Sequence, residues 1–377
     1  MEYVRLEKLV ELKQGLAINS HTNYLVSDHE TKLALLRIAD MPSKRKVVFM
    51  DEDTPDRYIA DEDDIIYTRT GQVGLVFTGQ NGVVHNNCFR VIPIDEQTLS
   101  RKYLFWALSL PEVYYMANIY AAGAAQPDLP HSSFKKIKIP ICSLNNQKRI
   151  VSILSAYDNL IENNNKRIRL LEQMAENLYK EWFVRFRFPG HEKAEFENGL
   201  PKSWKVEKVK SIVKRLPFNR TYKEYELEKE GAVIVIDQST DDYLGYHNNE
   251  PSHYANYDDP LLLFGDHSCK FQLMTRNFSL GENVIPFTTN NKSLINEYWL
   301  FYASHKLIQT EEYKRHWGRF VSIKVLVPDI NIQLRFENIV KTFEKEKNQL
   351  ITKNSILSRQ RDLLLPRLMS GKLEVKV

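Results

Sequence analysis

The sequence predicts an α+β protein in which two similar globular domains, in a pseudo-twofold repeat, are separated by two long helices that form an antiparallel coiled coil. Three observations predict this architecture. The chain has 377 residues, which is more than one ordinary domain contains. Its two halves carry the same short motifs in the same order, and each half ends in a long stretch with helical periodicity.

The repeat rests on two pairs of matching segments. IKIPICSLNNQKRI matches IKVLVPDINIQLRF, so that Gln147 corresponds to Gln333, 186 positions later (333 minus 147). Near the start of each half, VRLEKL at Val4 matches WKVEKV at Trp204. Because both matches occur in the same order, we predict that the second half is a shortened duplicate of the first.

Between these motifs, each half mixes strand and helix patterns. DDIIYTRTGQVGLVF and DDPLLLFGDHSCKFQL are short apolar runs interrupted by glycine or a polar turn, which is typical of strands. SRKYLFWALSLPEVYYMA and NEYWLFYASHKLIQTEEYK space their aromatic and aliphatic residues as helices do. We therefore predict a first globular domain at 1–144, a first spacer helix at 145–188, a second globular domain at 189–330, and a second spacer helix with the C-terminal tail at 331–377.

The two long stretches have the periodicity of helices that wrap around a neighbouring helix. Core-type positions recur in steps of four and three, which is an average of about 3.5 residues. In the first stretch they are Ile150, Leu154, Tyr157, Ile161, Asn164, Ile168, Leu171, Ala175, Leu178 and Trp182. In the second they are Phe336, Val340, Phe343, Lys347, Leu350, Asn354, Leu357, Arg361, Leu364 and Leu368. Since the second domain follows the end of the first helix, a second helix packed along the first must run antiparallel to it.

Asparagines occupy this seam at Asn164 and Asn354. A buried asparagine in a coiled coil lowers stability but fixes the register, because each amide needs a partner at its own height. Asn163 and Asn165 lie beside the seam, where a bond to the other helix, contact with a partner protein and a simple solvated face all remain open. Pro366 is expected to end or kink the second helix, since proline lacks the backbone N–H.

Composition limits the class of protein. The formal charge of +4 permits nucleic-acid binding without requiring it. Cys88, Cys142 and Cys269 are scattered, which indicates a reducing compartment and argues against a cysteine zinc site. The charged start predicts that there is no secretory signal. The lack of an apolar run of ~20 residues predicts that there is no membrane span. We therefore expect a cytoplasmic protein.

The sequence also lacks the usual catalytic motifs. It contains no phosphate-binding GxxxxGK[ST] loop, no HExxH zinc motif, and no Asn/Asp-Pro-Pro-aromatic segment of an adenine methyltransferase. The acidic run Asp61–Asp64 precedes a strand but lacks the spacing of a common nuclease core. The prediction is a protein without catalytic residues, a metal site or a cofactor.

Several segments together resemble the specificity subunits of type I restriction–modification systems. The resemblance rests on GAAQPDLPHSSFKKIKIPICSLNNQKRIVSIL, LIENNNKRIRLLEQMAENLYKEWF and SRQRDLLLPRLMSGKLEV, with VRLEKLVELKQG, DDIIYTRTGQVG and LPKSWKVEKV in the same order. It covers nearly the whole chain. One departure is RHWGRFVSIKV in the second half, where Gln126 of the first glycine-rich loop has no counterpart.

The resemblance implies a non-catalytic subunit that binds double-stranded DNA. Each globular domain would be a target-recognition domain that reads one half of a bipartite, asymmetric site. The helices would set the gap and dock two methyltransferase subunits, with restriction and translocase subunits added through the complex. Two alternatives remain open: a scaffold that assembles partners through its coiled coil without binding DNA, and a stand-alone methyltransferase or nuclease.

Candidate DNA contacts in the first domain are cations for phosphates and polar side chains for base edges. The candidates are Lys44, Arg45 and Lys46 in MPSKRKVVF; Arg69, Thr70 and Gln72 in YTRTGQVG; and Gln126 in the glycine-rich loop. For the basic triple, an ordinary solvated face is the alternative. For Arg69, the alternative is a structural ion pair with the acidic run Asp61–Asp64.

Candidates in the second domain follow the same reasoning. They are Lys270, Arg276 and Asn277 in CKFQLMTRN; Asn290, Asn291 and Lys292 in TTNNKSL; and Arg315 and Arg319, which flank Trp317. The alternative for each is a plain turn residue. The many aromatic residues favour core packing over base stacking, because most lie in predicted strands and helices.

Overall fold

The computed structural model describes residues 1–121, 126–239, 241–309 and 315–373. The chain forms two compact units: the first comprises Met1–Glu162 and Asn354–Val377, and the second comprises Asn163–Lys353. Both units mix strands and helices, which confirms the predicted α+β class. The four-segment division proposed from the sequence remains a prediction.

The first unit contains two sheets and a strand pair. Its strands are β1 (Glu2–Arg5), β2 (Val10–Gln14), β3 (Val26–Ser27), β4 (Leu33–Leu36), β5 (Phe49–Met50), β6 (Ile59–Ala60), β7 (Ile65–Thr68), β8 (Val76–Phe77), β9 (Gly82–Val84), β10 (Cys88–Pro93) and β11 (Lys138–Ile141). Helices α1 (Arg101–Leu108), α2 (Pro111–Ala121) and α3 (His131–Phe134) follow β10, and α4 (Leu144–Tyr179) follows β11. The sheet orders are β2-β10-β7-β8 and β3-β5-β4-β9-β6, with β1 paired to β11.

The second unit has a similar arrangement. Its strands are β12 (Phe196–Glu197), β13 (Leu200–Pro201), β14 (Lys205–Lys208), β15 (Val213–Arg215), β16 (Val233–Ile236), β17 (Gly245–His247), β18 (Leu261–Gly265), β19 (Phe271–Met274), β20 (Phe278–Leu280), β21 (Val284–Thr289) and β22 (Lys324–Val327). Its helices are α5 (Val209–Ile212), α6 (Glu297–Ser304), α7 (Trp317–Ser322) and α8 (Ile330–Met369). The sheet orders are β15-β21-β18-β19 and β17-β16-β20, with β14 paired to β22 and β12 to β13.

The topology of the main sheet repeats between the units. In both units, the strand of this sheet that comes first in the sequence (β2 or β15) pairs with the one that comes last (β10 or β21). That last strand also pairs with an earlier hairpin, β7-β8 or β18-β19. The register also agrees: the Arg69 N–H donates to the Asn87 carbonyl at 2.8 Å, and the Asp266 N–H donates to the Asn283 carbonyl at 2.9 Å. The other sheets differ, with five strands in the first unit and three in the second. This shared topology agrees with the internal duplication predicted from the sequence.

A fully buried glutamine at the start of each long helix repeats with the same set of contacts. The amide nitrogen of Gln147 donates to the carbonyls of Thr98 and Cys142 at 2.8 and 2.9 Å, and its oxygen accepts from the Ser100 N–H at 2.9 Å. Ser100 is the N-cap of α1, so one side chain joins the start of α4 to the start of α1.

Gln333 makes the equivalent contacts in the second unit. Its amide nitrogen donates to the carbonyls of Leu294 and Pro328 at 3.0 and 2.7 Å, and its oxygen accepts from the Asn296 N–H at 2.8 Å. Asn296 is the N-cap of α6. We call this arrangement in either unit the glutamine bridge.

The two long helices pack antiparallel inside each unit. In the first unit, Ile150 and Leu154 of α4 share a core with Leu365 and Leu368 of α8. A second core in the other unit contains Ala175 and Trp182 from the first stretch and Phe336 and Val340 of α8. Residues with higher numbers on the first stretch therefore pack against residues with lower numbers on α8, which confirms the predicted antiparallel pairing.

Ion pairs follow the same order. Asp158 pairs with Arg361 at 2.5 Å in the first unit, and in the second Arg167 pairs with Glu346 at 2.5 Å. All twenty predicted seam positions are buried or half-buried, whereas Asn163 and Asn165 are exposed. Asn164 and Asn354 are half-buried, and their register role remains a prediction.

The structure bears on two expectations from the sequence, one about the end of the second long helix and one about membrane spans. The second helix does not end at Pro366, because α8 continues to Met369. The N–H that proline lacks is missing close to the helix end, where few later turns depend on it. In the described part of the chain, no helix is long and apolar enough to cross a membrane.

Replacing either bridging glutamine should destabilise the protein. Gln147→Leu leaves two carbonyls and one N–H without their partner, so we expect the free energy of unfolding to fall by about 2 kcal/mol or more. Gln333→Leu should behave alike. Urea denaturation measures both variants, with Lys148→Ala, an exposed neighbour, as the control. A Gln147→Leu variant that unfolds at the same urea concentration as the control would contradict the bridge.

Candidate nucleic-acid interface

In the first unit, a glycine turn follows β7 and packs against a segment far away in sequence. The Gly71 N–H donates to the Pro127 carbonyl at 3.0 Å, and the Leu129 N–H donates to the Arg69 carbonyl at 2.9 Å. Gly71 has a φ of +82°, a left-handed conformation that favours glycine. The side-chain amide of Gln126 would lie 3.8 Å from a methyl group placed on Gly71. The structure thus brings the YTRTGQVG turn and the Gln126 loop together.

Arg69 forms the centre of this contact. Its Nη2 lies 2.7 Å from Asp128 Oδ2, its Nε lies 3.2 Å from Asp128 Oδ1, and its Nη1 donates to the Gln14 amide oxygen at 3.1 Å. Thr70 donates its hydroxyl to Asp128 as well, at 2.6 Å. The hydrogen bonds from Arg69, and to a smaller extent the one from Thr70, lower the pKa of Asp128.

The ion-pair interpretation of Arg69 therefore has a partner that sequence reasoning did not name. Within the acidic run that the sequence suggested as the partner, Asp64 pairs instead with Arg90 at 2.9 Å and with Arg101 at 3.5 Å. Arg69 has only 22% of its side chain exposed. Most of its donors are thus committed within the unit, while its place as a DNA contact remains untested.

Other candidates of the first unit face solvent. Gln72 and Gln126 are exposed on the two segments that meet at Gly71. Lys44, Arg45 and Lys46 are exposed in the turn before β5, and none of the three forms an ion pair with a residue that the structure describes. Exposed carboxamides can make paired hydrogen bonds to adenine, and unpaired cations suit phosphates.

In the second unit, several candidates make local contacts. Lys270 donates to the Asp241 carbonyl, and burial lowers its pKa. Lys292 pairs with Asp259 and with Glu297, the latter at 3.6 Å. These two lysines already have acceptors.

The asparagine candidates stabilise loops. Asn277 accepts the Ala255 N–H at 3.2 Å, and Asn291 accepts the Ser293 N–H at 3.0 Å. Asn290 donates its amide to the Ser211 carbonyl. Arg276, between β19 and β20, is exposed. All of these residues stay candidates for DNA contacts.

The start of α7 is organised by Asp266, which follows β18. Its Oδ1 accepts the backbone N–H groups of His316 and Trp317 at 3.1 and 3.0 Å. Arg315 lies 3.9 Å from Asp266 and is 81% exposed, and Arg319 is exposed on α7. Two exposed arginines thus flank the half-buried Trp317 in sequence.

Sequence reasoning missed Arg215, at the end of β15. Its guanidinium carbon lies 5.5 Å from the ring centroid of Trp317 and 5.5 Å from that of Phe218. The local signal was an arginine three residues before a phenylalanine, in KRLPFNR, but the partner Trp317 is distant in sequence. Arginine over an aromatic face is held by attraction to the ring electrons.

The aromatic residues beneath both sites correspond. Phe89 contacts His131 and Phe134 with ring centroids 4.9 Å apart in each case. At positions 186 later than the last two, Trp317 and Phe320 lie 5.3 and 5.8 Å from Phe287. Duplication thus extends to the packing under the candidate sites, with tryptophan in place of histidine.

Removal of the Arg69 guanidinium should change the response to acid. A carboxylate with a depressed pKa contributes stability that is present above its unfolded-state pKa and is lost as the pH falls through its folded-state pKa. Between about pH 5 and pH 2, Arg69→Gln should therefore lose less stability than the parent protein.

The measurement is urea denaturation across that pH range, with the Asp128 carboxyl followed by NMR. Arg45→Gln is the matched control, since Arg45 is exposed and forms no ion pair within the described ranges. Equal pH profiles for Arg69→Gln and the parent would contradict the assigned role of the pair.

Comparison with known proteins gives a consistent result. Residues 1–173 match the model of the type I restriction modification DNA specificity domain. The type I restriction enzyme MjaIX specificity subunit of Methanocaldococcus jannaschii is 26% identical over 340 residues, which cover 83% of this chain and 78% of that protein. The MjaVIII specificity subunit of the same organism is 30% identical over 158 residues, or 41% of this chain and 36% of that protein.

A solved structure has the same fold. The type I restriction–modification S subunit from M. genitalium superposes with a TM-score of 0.59 at 16% identity, over 100% of this chain and 96% of that one. Together, the matches confirm the resemblance to specificity subunits and give no support to the scaffold alternative.

Proposed function

We propose that the chain is the DNA sequence-recognition subunit of a type I restriction–modification complex, because residues 1–173 match the model of the type I restriction modification DNA specificity domain. One observation carries the proposal: the domain that defines the family is followed by a second unit with the same main-sheet topology. A duplicated recognition domain suits a DNA site in two parts.

Each unit reads one half of a bipartite, asymmetric site in double-stranded DNA. The exposed residues beside the shared sheet differ: Gln72 and Gln126 in the first unit, Arg215 and Arg315 in the second. Carboxamides and guanidinium groups favour different base edges, so the two half-sites differ in sequence. The exposed Lys44, Arg45 and Lys46 contact phosphates, which orient the duplex without reading it.

The paired helices set the gap between the half-sites and dock two methyltransferase subunits. Restriction and translocase subunits join through the complex, in the cytoplasm. In this arrangement the chain is non-catalytic, and methyl transfer and cleavage are the work of its partners.

The test is selection of a randomised duplex library by the full chain with its methyltransferase partner. We expect enrichment of two short motifs at a fixed separation, and an affinity that falls steeply between low and moderate salt as phosphate contacts are screened. Selection of no motif, with equal affinity for all duplexes, would overturn the proposal. Indifference to duplex DNA in the presence of the partner would favour a scaffold.

An insertion tests the role of the helices. Four residues, about one helical turn, are added after Asn164, with a companion variant that carries a matching insertion after Asn354. The selected motifs should keep their sequences and move further apart, because the longer helices separate the units. An insertion of four residues in the exposed loop after Gly190 serves as the control. Altered half-site sequences would contradict this division of roles.

A further inference from the structure

Arg215 is an exposed arginine whose charge is not neutralised by a carboxylate among the described residues. It lies at the end of β15, with its guanidinium carbon 5.5 Å from the ring centroid of Phe218 and 5.5 Å from that of Trp317. Attraction to two aromatic faces restricts the side chain without occupying all of its N–H donors. Such a group can bind a planar, paired acceptor at a low cost in conformational entropy.

The equivalent position of the first unit is closed. In both sheets the strand that pairs with β2 or β15 also pairs with the preceding hairpin, and this alignment places Leu12, opposite Val91, at the position of Arg215, opposite Phe287. Leu12 is half-buried and packs against the hydrophobic core of its unit. This side chain is used within its own unit. The same place on the repeated sheet is therefore internal in one unit and open in the other.

The surroundings of Arg215 suit a polyanion. Lys214 precedes it and is exposed, whereas Arg220 in the next loop is paired with Glu226 at 2.5 Å. Arg315, near the start of α7 with Trp317, is 81% exposed. Lys214 thus supplies charge for a phosphate next in sequence to an arginine that offers a planar donor pair for a base edge.

Resting on the proposed function, we infer that Arg215 is a specificity-determining residue of the second unit and reads a guanine in the major groove. Arginine donates two parallel hydrogen bonds to guanine O6 and N7, the commonest specific contact to a base. The rings of Trp317 and Phe218 hold the guanidinium in position. Arg69 of the first unit, bound to Asp128, has no equivalent freedom.

The test uses the full chain with its methyltransferase partner and the randomised duplex library. Arg215→Lys keeps the charge but loses the planar donor pair, so it separates base reading from phosphate contact. We expect the preference for G·C at one position of one half-site to fall roughly tenfold or more. The other half-site should be unchanged. Lys214→Gln, the neighbouring cation, is the control and should weaken binding to all sequences alike.

A second variant guards against an effect on folding. Phe218→Leu removes a half-exposed ring and leaves Arg215 in place. It should weaken the same G·C preference by a smaller factor, with the midpoint of thermal unfolding near that of the parent. Agreement of the two variants on one position supports the inference.

Three results would overturn it. Arg215→Lys could keep the parent preference at every position, which excludes base reading. Arg215→Gln could weaken all sequences equally with a reduced salt dependence, which indicates a phosphate contact. Changes could also spread over both half-sites. If the parent selects no motif at all, the proposed function fails as well, and that outcome is distinct from the other three.

Discussion

The glutamine bridge is the contact on which the arrangement of each unit depends. One buried amide satisfies three backbone groups that would otherwise lie unpaired in the interior, at the point where a long helix begins beside a shorter one. A buried unsatisfied group costs roughly 1–3 kcal/mol, so few other side chains could occupy this position. Since Gln147 and Gln333 make equivalent contacts, both units attach to their helices in the same way.

This shared attachment leaves the edges of the units free to differ. His131 and Phe134 of the first unit correspond to Trp317 and Phe320 of the second, and each pair packs against a phenylalanine of the main sheet. Beside these aromatic residues, Arg69 of the first unit forms an ion pair with Asp128, whereas Arg215 of the second unit is exposed and lies near two aromatic rings. A constant interior with variable edges is what a pair of readers for unlike half-sites requires.

Local periodicity explains which parts of the fold were predictable from the sequence. The seam of the long helices could be read from residue spacing alone, and even the half-buried Asn164 and exposed Asn163 agree with it. Pro366 does not end the helix as one of the two expected effects required, because α8 continues to Met369. Strand order was out of reach, since pairing such as β10 with β2 joins segments far apart in sequence.

The candidate site was predictable only in part, for the same reason. Glycine in YTRTGQVG marked a turn, and the structure places Gln126 beside it. The partner of Arg69 was missed because Asp128 comes 59 residues later, and proximity in sequence had favoured the acidic run Asp61–Asp64. Arg215 escaped notice because the ring of Trp317 comes from a distant helix. Whether a charged side chain is available to bind DNA depends on its tertiary contacts, and the spacing of residues in the sequence does not reveal those contacts.

The end of α8 has a consequence for biosynthesis. Leu365, Leu368 and Met369 belong to the hydrophobic core of the first unit, although nearly two hundred residues of the second unit separate them from the rest of it. During synthesis, the amino-terminal unit therefore emerges from the ribosome with part of its apolar surface uncovered. That surface can bind chaperones or aggregate until the last turns of α8 have been synthesised.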